Sequence, residues 1–176
     1  MKLTGIILAG GLSSRMGEDK GIIQLDNQKM IEKVIDLLIP FTNEILISAN
    51  NSNYNNLGYR IIADSYDKIG PIGGIISCLK KSTNQHNIII SCDTPNISSK
   101  TIKKLIENIS NFDVALPYHH DKFDPLSAIY NKGCLHKLIS LVENKEYKLQ
   151  HIIKQLNYKQ ITYINSKETL REFLNI

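Results

Sequence analysis

Residues 4–20 read Thr4-Gly5-Ile6-Ile7-Leu8-Ala9-Gly10-Gly11-Leu12-Ser13-Ser14-Arg15-Met16-Gly17-Glu18-Asp19-Lys20. The stretch opens as a short apolar run of strand length, Thr4–Leu8, and breaks at a glycine pair. Glycines let backbone N–H groups approach phosphate oxygens closely, and a loop of such groups makes an anion nest. Arg15 and Lys20 add mobile positive charge. A tight turn would also use Gly-Gly after a strand, but it needs neither the Arg nor the Lys. The dinucleotide pattern G-x-G-x-x-G is absent, and no G-K-[ST] follows to make a P-loop.

Working outward, short β-branched runs alternate with longer amphipathic ones. The strand-like runs are Thr4–Leu8, Glu44–Ser48, Tyr59–Ala63, Asn87–Ser91, Asp113–Leu116, Leu126–Tyr130 and Gln160–Ile164. Several are apolar at consecutive positions, as in Ile88-Ile89-Ile90, which suits strands buried on both faces of a parallel sheet. Helices are expected over Met30–Ile39, stopping at Pro40, and over Gly74–Lys81, Lys100–Ile109, Leu135–Val142, Leu149–Leu156 and Thr169–Leu174. Ser98 or Ser99 is the expected N-cap of the third, and Asn165 with Glu168 resembles a capping box for the last. Alternating strand and helix means βαβ units, right-handed crossovers and a three-layer α/β sandwich. The stretch from Asp113 to Tyr130 holds two strands with no helix between them, so an antiparallel insertion is expected there.

Composition sets the bounds. The chain has 176 residues, 42% hydrophobic and 22% charged, which suits one soluble globular domain over residues 1–176 and excludes collagen-like, mucin-like and disordered classes. Net charge is +4, with no basic run longer than a pair. That balance suits a phosphate-bearing small molecule and falls short of a nucleic-acid-binding surface. Three cysteines at unrelated spacings, Cys78, Cys92 and Cys134, argue for a reducing compartment rather than a disulfide framework. The apolar start is too short to span a membrane and lacks a signal-peptide pattern, so a soluble cytoplasmic protein is expected.

Two further features lie at predicted strand ends, and a third opens a helix. Ser91-Cys92-Asp93-Thr94-Pro95 follows the Ile88–Ile90 run, and a carboxylate there can hold Mg²⁺ against a triphosphate. An Asx-turn closing the strand is the competing reading of Asp93 taken alone. Asp64 ends the Ile61-Ile62-Ala63 run in the same way. Gly70-Pro71-Ile72-Gly73-Gly74-Ile75 then opens a helix whose glycines permit close approach of a base or phosphate. Gly10, Ser48, Asp64 and Asp93 would share one edge and one crevice of an open parallel sheet. Independent turns give no reason for an Arg, a Lys and two Asp to gather there.

The combination resembles a known family. Leu-Ala-Gly-Gly-x-Ser-x-Arg-Met-Gly-x-Asp-Lys is the signature of nucleotidyltransferases with a Rossmann-like α/β/α fold, mostly parallel with an antiparallel insertion. Together with Gly-Pro-Ile-x-Gly-Ile and Cys-Asp-Thr-Pro it is similar to the molybdenum cofactor guanylyltransferases of MobA type. Ile47-Ser48-Ala49-Asn50, Ala63-Asp64-Ser65 and Asp124-Pro125-Leu126 follow in the expected order, so the likeness covers about residues 4–130. It implies transfer of GMP from GTP to molybdenum-bearing molybdopterin, with release of pyrophosphate and Mg²⁺ as cofactor. It also implies transient contact with molybdoenzymes or other cofactor-biosynthesis proteins.

Carried over by position, Leu8, Ala9, Gly10 and Gly11 would contact the nucleotide. Asn50, Asp64 and Gly73 would flank it. Arg15 and Lys20 would face the phosphates, and Asp93 would bind both metal and nucleotide. Arg15, Lys20 and Asp93 would be the catalytic set. Two departures stand out. Some members carry Asn where this chain has Ser48, with Asn50 nearby. The family usually closes with Phe-x-Asn-x-Asn-Thr-Pro, whereas this chain reads Phe173-Leu174-Asn175-Ile176.

Rival readings are cytidylyl transfer to the same pterin, a sugar-phosphate nucleotidyltransferase, and a non-catalytic GTP-binding paralogue. Leu-Ala-Ala-Gly is usual in the cytidylyl family, and Leu8-Ala9-Gly10-Gly11 favours guanine. Sugar-phosphate enzymes are usually longer. The altered C-terminal motif is the only support for the third. His119-His120-Asp121, with Asp124, Cys134 and His136, fits no zinc spacing and reads as a polar hairpin tip. Cys92 reads as a small buried residue.

Overall fold

Three parallel strands form the spine of the protein: β1 (Leu3–Leu8) pairs along its whole length with His86–Ser91 on one side and, from Thr4 onward, with Glu44–Ser48 on the other. The computed structural model describes residues 1–9, 19–66, 68–94, 96–119 and 121–162. Gly10, Gly11 and Arg15, the expected C-terminal helix with its capping box, and Phe173–Ile176 lie outside the described residues.

After β1 the described chain resumes at Asp19, which caps a 3-10 turn at Lys20–Ile22. A small hairpin follows, β2 (Gln24–Leu25) and β3 (Gln28–Lys29). Its two turn residues, Asp26 and Asn27, both have positive φ, 53° and 65°. That is the backbone of the tight hairpin turns in which Asn and Asp are favoured. Then come α1 (Met30–Leu38), β4 (Glu44–Ser48), β5 (Arg60–Ile62), α2 (Pro71–Lys81), β6 (His86–Ser91) and α3 (Ser99–Asn108). The chain continues through β7 (Val114–His119), β8 (Lys122–Phe123), β9 (Ser127–Asn131), α4 (Leu135–Glu143), α5 (Leu149–Gln155) and β10 (Tyr158–Thr162).

The main sheet runs in the order β10-β7-β9-β6-β1-β4-β5, with β8 paired to β7. β9 is antiparallel to both β6 and β7, and every other neighbouring pair along that path is parallel. The expected antiparallel insertion is therefore β9, a strand that turns the chain back between β6 and β7. The turn brings Asp124, Pro125 and Leu126 to the edge where the parallel strands end, and Ser91 N donates to Leu126 O there at 3.0 Å.

Alternation along the central strands explains the three layers. Ile6, Leu46 and Ile89 face the layer with α2, α4 and α5, where they meet Ile72, Ile75, Leu138 and Ile152. Ile7, Ile47, Ile88 and Ile90 face the opposite layer, against Ile31, Val34, Ile35, Ile102 and Leu105. Each of these strand isoleucines is fully buried, and burial of one such side chain contributes about 1.5–3 kcal/mol. The helices begin where their sequences allow. Ser98 Oγ accepts from Thr101 N at 3.2 Å to cap α3. Glu32 accepts from Lys29 N at 3.0 Å at the start of α1. Pro71 opens α2, three residues earlier than the glycine pattern predicts, because proline costs nothing at a first helical position. Among the described residues no helix is long and apolar enough to cross a membrane.

Candidate active site

Backbone hydrogen bonds continue one residue beyond the strands and build a floor. Ala9 N donates to Ser48 O at 2.9 Å, Cys92 N to Leu8 O at 3.0 Å, and Ala49 N to Ile62 O at 3.1 Å. Above this floor lies a cavity of about 290 Å³. Leu8, Ala9, Lys20, Asn50, Asp64 and Asp93 all line it. Ser48, Asp64, Asp93 and Lys20, expected at the carboxyl ends of the strands, line this crevice, while Gly10 and Arg15 lie outside the described residues.

One wall is built by Asp64 and the start of α2. Asn50 Oδ1 accepts from Asp64 N at 2.7 Å. Asp64 Oδ1 accepts from Tyr66 N at 2.9 Å and lies 3.4 Å from Ser77 Oγ, while Ser65 N donates to that same hydroxyl at 2.9 Å. Helix α2 can come this close only because its third and fourth residues lack side chains. A Cβ on Gly73 would sit 2.5 and 2.6 Å from the Asp64 carboxylate oxygens, and one on Gly74 would sit 2.5 Å from Ser48 Oγ. Gly73 does not line the cavity itself. Its part is to make room for Asp64. Gly70, just before the helix, has φ 76°, which glycine adopts without strain.

The other wall carries the charges. Lys20 Nζ lies 3.2 Å from Asp93 Oδ2, and Ser91 Oγ donates to Asp93 Oδ1 at 2.6 Å. Both charged side chains are largely buried, 28% and 18% exposed, so solvent screens this pair less than a surface one. Beyond Asp93, on the β9 side, stands Asp124. Burial pushes its carboxyl above the usual range, and the negative charge of Asp93 adds to the effect. Cys92 is buried, as expected, and burial pushes its thiol up to about 12. His119 and Asp124 share the crevice edge, whereas Cys134 follows β9 at the opposite edge of the sheet, so that set cannot share one ion.

Asp19, quoted in the first motif, was given no role of its own by sequence reasoning, yet it gathers more hydrogen bonds than a turn requires. Its carboxylate accepts from Gly21 N at 3.2 Å, from Asn51 Nδ2 at 2.8 Å, from Asn53 Nδ2 at 3.3 Å and from the Tyr54 hydroxyl. Burial alone would raise its pKa, but these hydrogen bonds together outweigh burial and hold it below the usual range. A local signal existed: an Asp directly before Lys20-Gly21 has the form of a turn cap.

An open, mostly parallel sheet with a crevice, a lysine–aspartate pair and a glycine-rich helix start at its carboxyl edge is an arrangement suited to nucleotidyl transfer, and the relatives of this chain are nucleotidyltransferases. The sequence profile of the MobA-like NTP transferase domain matches residues 5–161. A molybdenum cofactor guanylyltransferase of Vibrio parahaemolyticus is 31% identical over 97% of this chain and 88% of its own. A probable molybdenum cofactor guanylyltransferase of Carboxydothermus hydrogenoformans is 34% identical over 90% of this chain and 83% of its own. The chain belongs to the molybdenum cofactor guanylyltransferase family of MobA-like domains. Solved structures agree on the fold. A protein of Aquifex aeolicus superposes with a TM-score of 0.82 at 25% identity, covering 98% of this chain and 92% of that one. The molybdopterin-guanine dinucleotide biosynthesis protein A of Archaeoglobus fulgidus gives 0.79 at 21%, covering 98% and 91%.

Proposed function

We propose that this protein transfers GMP from GTP to molybdenum-bearing molybdopterin, forming the guanine dinucleotide cofactor and pyrophosphate. The observation that carries this reading is the meeting of Lys20 and Asp93 in the crevice lined by Leu8, Ala9, Asn50 and Asp64. In this assignment the nucleoside lies toward Asn50, Asp64 and the start of α2. The triphosphate runs toward Gly10, Gly11, Arg15 and Lys20, and the acceptor approaches from the β9 side, beyond Asp93. One domain supplies all of these groups.

The chemistry asks for position and charge. A terminal phosphate oxygen of the pterin attacks the α-phosphorus. A new P–O bond forms, the bond to the bridging oxygen of the β-phosphate breaks, and pyrophosphate leaves with that electron pair. The attacking phosphate monoester is mostly ionised near pH 7, since its second pKa is about 6, so no general base is needed. Lys20 and Arg15 stabilise the charge that accumulates on pyrophosphate. The crevice walls hold nucleophile and phosphorus in line.

The donor chemistry at Asp93 fits Mg²⁺, which binds through one or two carboxylates and completes its shell with phosphate oxygens and water. Asp93 offers one hard carboxylate held in place by Ser91. When bound, the ion would supply Lewis-acid polarisation of the phosphates. The Lys20–Asp93 pair then has a simple part in binding. Asp93 would hold the cation and Lys20 a phosphate, so that one ion pair would be replaced by two. The three buried free thiols suit the reducing cytoplasm in which this synthesis would run.

The test is nucleotide choice. The protein is incubated with Mg²⁺, molybdate-loaded molybdopterin and either GTP or CTP, and pyrophosphate is followed. Release with GTP alone is expected. Release with CTP alone would assign the chain to cytidylyl transfer. Silence with both, alongside GTP binding by calorimetry, would overturn the catalytic reading.

A further inference from the structure

The loop after β4 touches both walls of the crevice. Its second residue, Asn50, accepts from the Asp64 backbone on the nucleoside side. Its next residues, Asn51, Asn53 and Tyr54, all donate to one carboxylate, that of Asp19. Tyr54 is fully buried and packs in the core beneath α1 and α3, so this anchor is rigid. Asn51 is itself braced, its Oδ1 accepting from Asn53 N at 3.1 Å. Asp19 immediately precedes Lys20 and caps the 3-10 turn that Lys20 begins. Gly21, the next residue, is buried against the Tyr54 ring, and a Cβ there would collide with the Tyr54 hydroxyl.

From this geometry we infer that Asp19 is a positioning residue for the reaction: it clasps the Asn51–Tyr54 loop and so fixes the backbone from which Lys20 reaches the phosphate wall. The inference rests on the reading of Lys20 as the residue that meets the triphosphate.

Two features argue for a dedicated device rather than an ordinary turn cap. An N-cap needs one acceptor for one backbone N–H, which Gly21 N satisfies. Asp19 takes three further side-chain donors from a loop more than thirty positions away in sequence. Such a set needs an ionised carboxylate, because a neutral amide has one accepting oxygen and would turn an NH₂ toward donors. The lysine also carries a long, flexible stem whose rotamer freedom opposes a fixed pose. Fixing its main chain at the root is the part of that freedom the fold can remove in advance.

The test is a double-mutant cycle in the full chain, Asp19→Asn against Lys20→Met. Asp19→Asn is expected to lower kcat for GTP-dependent pyrophosphate release at least about tenfold, with the KM for GTP moving under about threefold. In the Lys20→Met background the same substitution is expected to cost less than about twofold, because it acts through the lysine. Full multiplication of the two losses would overturn the inference.

The cycle is read a second time on binding, by displacement of a fluorescent GTP analogue. Asp19→Asn should weaken GTP by no more than about threefold and leave guanosine unchanged. Equal weakening of both ligands would make Asp19 a support of the whole pocket and overturn the inference. This arm needs no turnover, so a wild-type protein that binds GTP but releases no pyrophosphate would sink the transfer reading alone. If Asp19→Asn fails to fold, the exposed pair Asn51→Ala and Asn53→Ala removes two of the four donors from outside the core. That variant should show the same kcat-selective loss, and unchanged kcat would refute the clasp.

Discussion

Gly73→Ala sets two physical effects against each other. Alanine is the better helix former, by about 1 kcal/mol in a helix interior, and the substitution would stabilise α2 if nothing lay nearby. The structure places the Asp64 carboxylate there instead, with 2.5 Å between the new Cβ and Oδ2 and 2.9 Å to Cγ. Reaching the 3.4 Å of ordinary contact moves that carboxylate by most of an ångström. Asp64 Oδ1 is tied to Tyr66 N at 2.9 Å and has Ser77 Oγ at 3.4 Å, so the retreat breaks at least one of these contacts. A hydrogen bond to a charged group contributes about 1.5–3 kcal/mol, which exceeds the helix gain and leaves a net destabilisation of roughly 0.5–2 kcal/mol. Affinity should suffer more. In the proposed assignment Asp64 meets the nucleoside, so its displacement should cost one such bond and weaken GTP by about ten- to a hundredfold.

Urea unfolding gives the first quantity and calorimetry with GTP the second. Asp64→Ala supplies the reference: it should weaken GTP to a similar extent, and Gly73→Ala in that background should recover the helix-propensity gain because the clash is gone. A Gly73→Ala protein that is more stable than the parent by about the full propensity difference, with GTP affinity unchanged, would refute both the packing argument and the placement of the nucleoside against Asp64.

Other expectations follow from single sites. Asp93→Asn should cut GTP-dependent pyrophosphate release at least about a hundredfold and make GTP affinity insensitive to Mg²⁺; undiminished release would remove Asp93 from the metal site. Glu44 lies at the opposite edge of the sheet. Burial would raise its carboxyl, but Thr4 Oγ1 at 2.6 Å and Thr83 N and Oγ1, both at 2.9 Å, hold it below the usual range. Its contribution is therefore present above about pH 4.5 and lost as the pH falls through the lowered value, so Glu44→Gln should flatten the acid limb of stability in urea titrations from pH 5 to 3. Cys78, Cys92 and Cys134 are buried and each is pushed up to about 12 by burial, so a maleimide at pH 8 should label the native protein only as fast as it opens, and all three thiols at once in denaturant.

The sheet was legible because its signal is redundant. Consecutive isoleucines such as Ile88–Ile90 need cover on both faces, and only a central strand provides it. Glu44–Ser48 was placed to the residue, and the others to within a few positions. The antiparallel return of β9 was legible from the missing helix between Asp113 and Tyr130. The hairpin β2–β3 was not, because two-residue strands carry no periodicity, and its only mark is the Asp26-Asn27 turn. Ser48, Asp64 and Asp93 could be placed in one crevice because each ends or follows a strand. The partners that hold them could not. Nothing local in Asn51-Ser52-Asn53-Tyr54 says that it answers Asp19, since that contact joins two loops through the fold. Gly73 was expected to meet the nucleotide, whereas the structure sets it behind Asp64, a distinction of a few ångströms that no spacing rule carries.

A crevice for a polyanion that is lined by aspartates looks electrostatically wrong, and the hydrogen bonds explain why it is not. Asp19 sits beside Lys20 yet presents little bare charge to a phosphate, because its two oxygens are taken by four donors. Asp64 is turned toward Tyr66 N and Ser77 rather than toward the lysine wall. Asp124 is pushed by burial toward its neutral form. Asp93 is the carboxylate whose compensation is a mobile cation, the Lys20 ammonium, and so the one best placed to exchange that partner for a metal ion when phosphate takes the lysine. Removing donors from Asp19 should therefore do more than loosen a loop. It would return a negative charge to the side of the crevice assigned above to the pyrophosphate, and the penalty should fade as salt is raised. A kcat loss in Asn51→Ala with Asn53→Ala that is undiminished between 0.05 and 0.5 M salt would assign the effect to lost position of Lys20 alone, and a loss that shrinks severalfold would assign a share to the exposed charge.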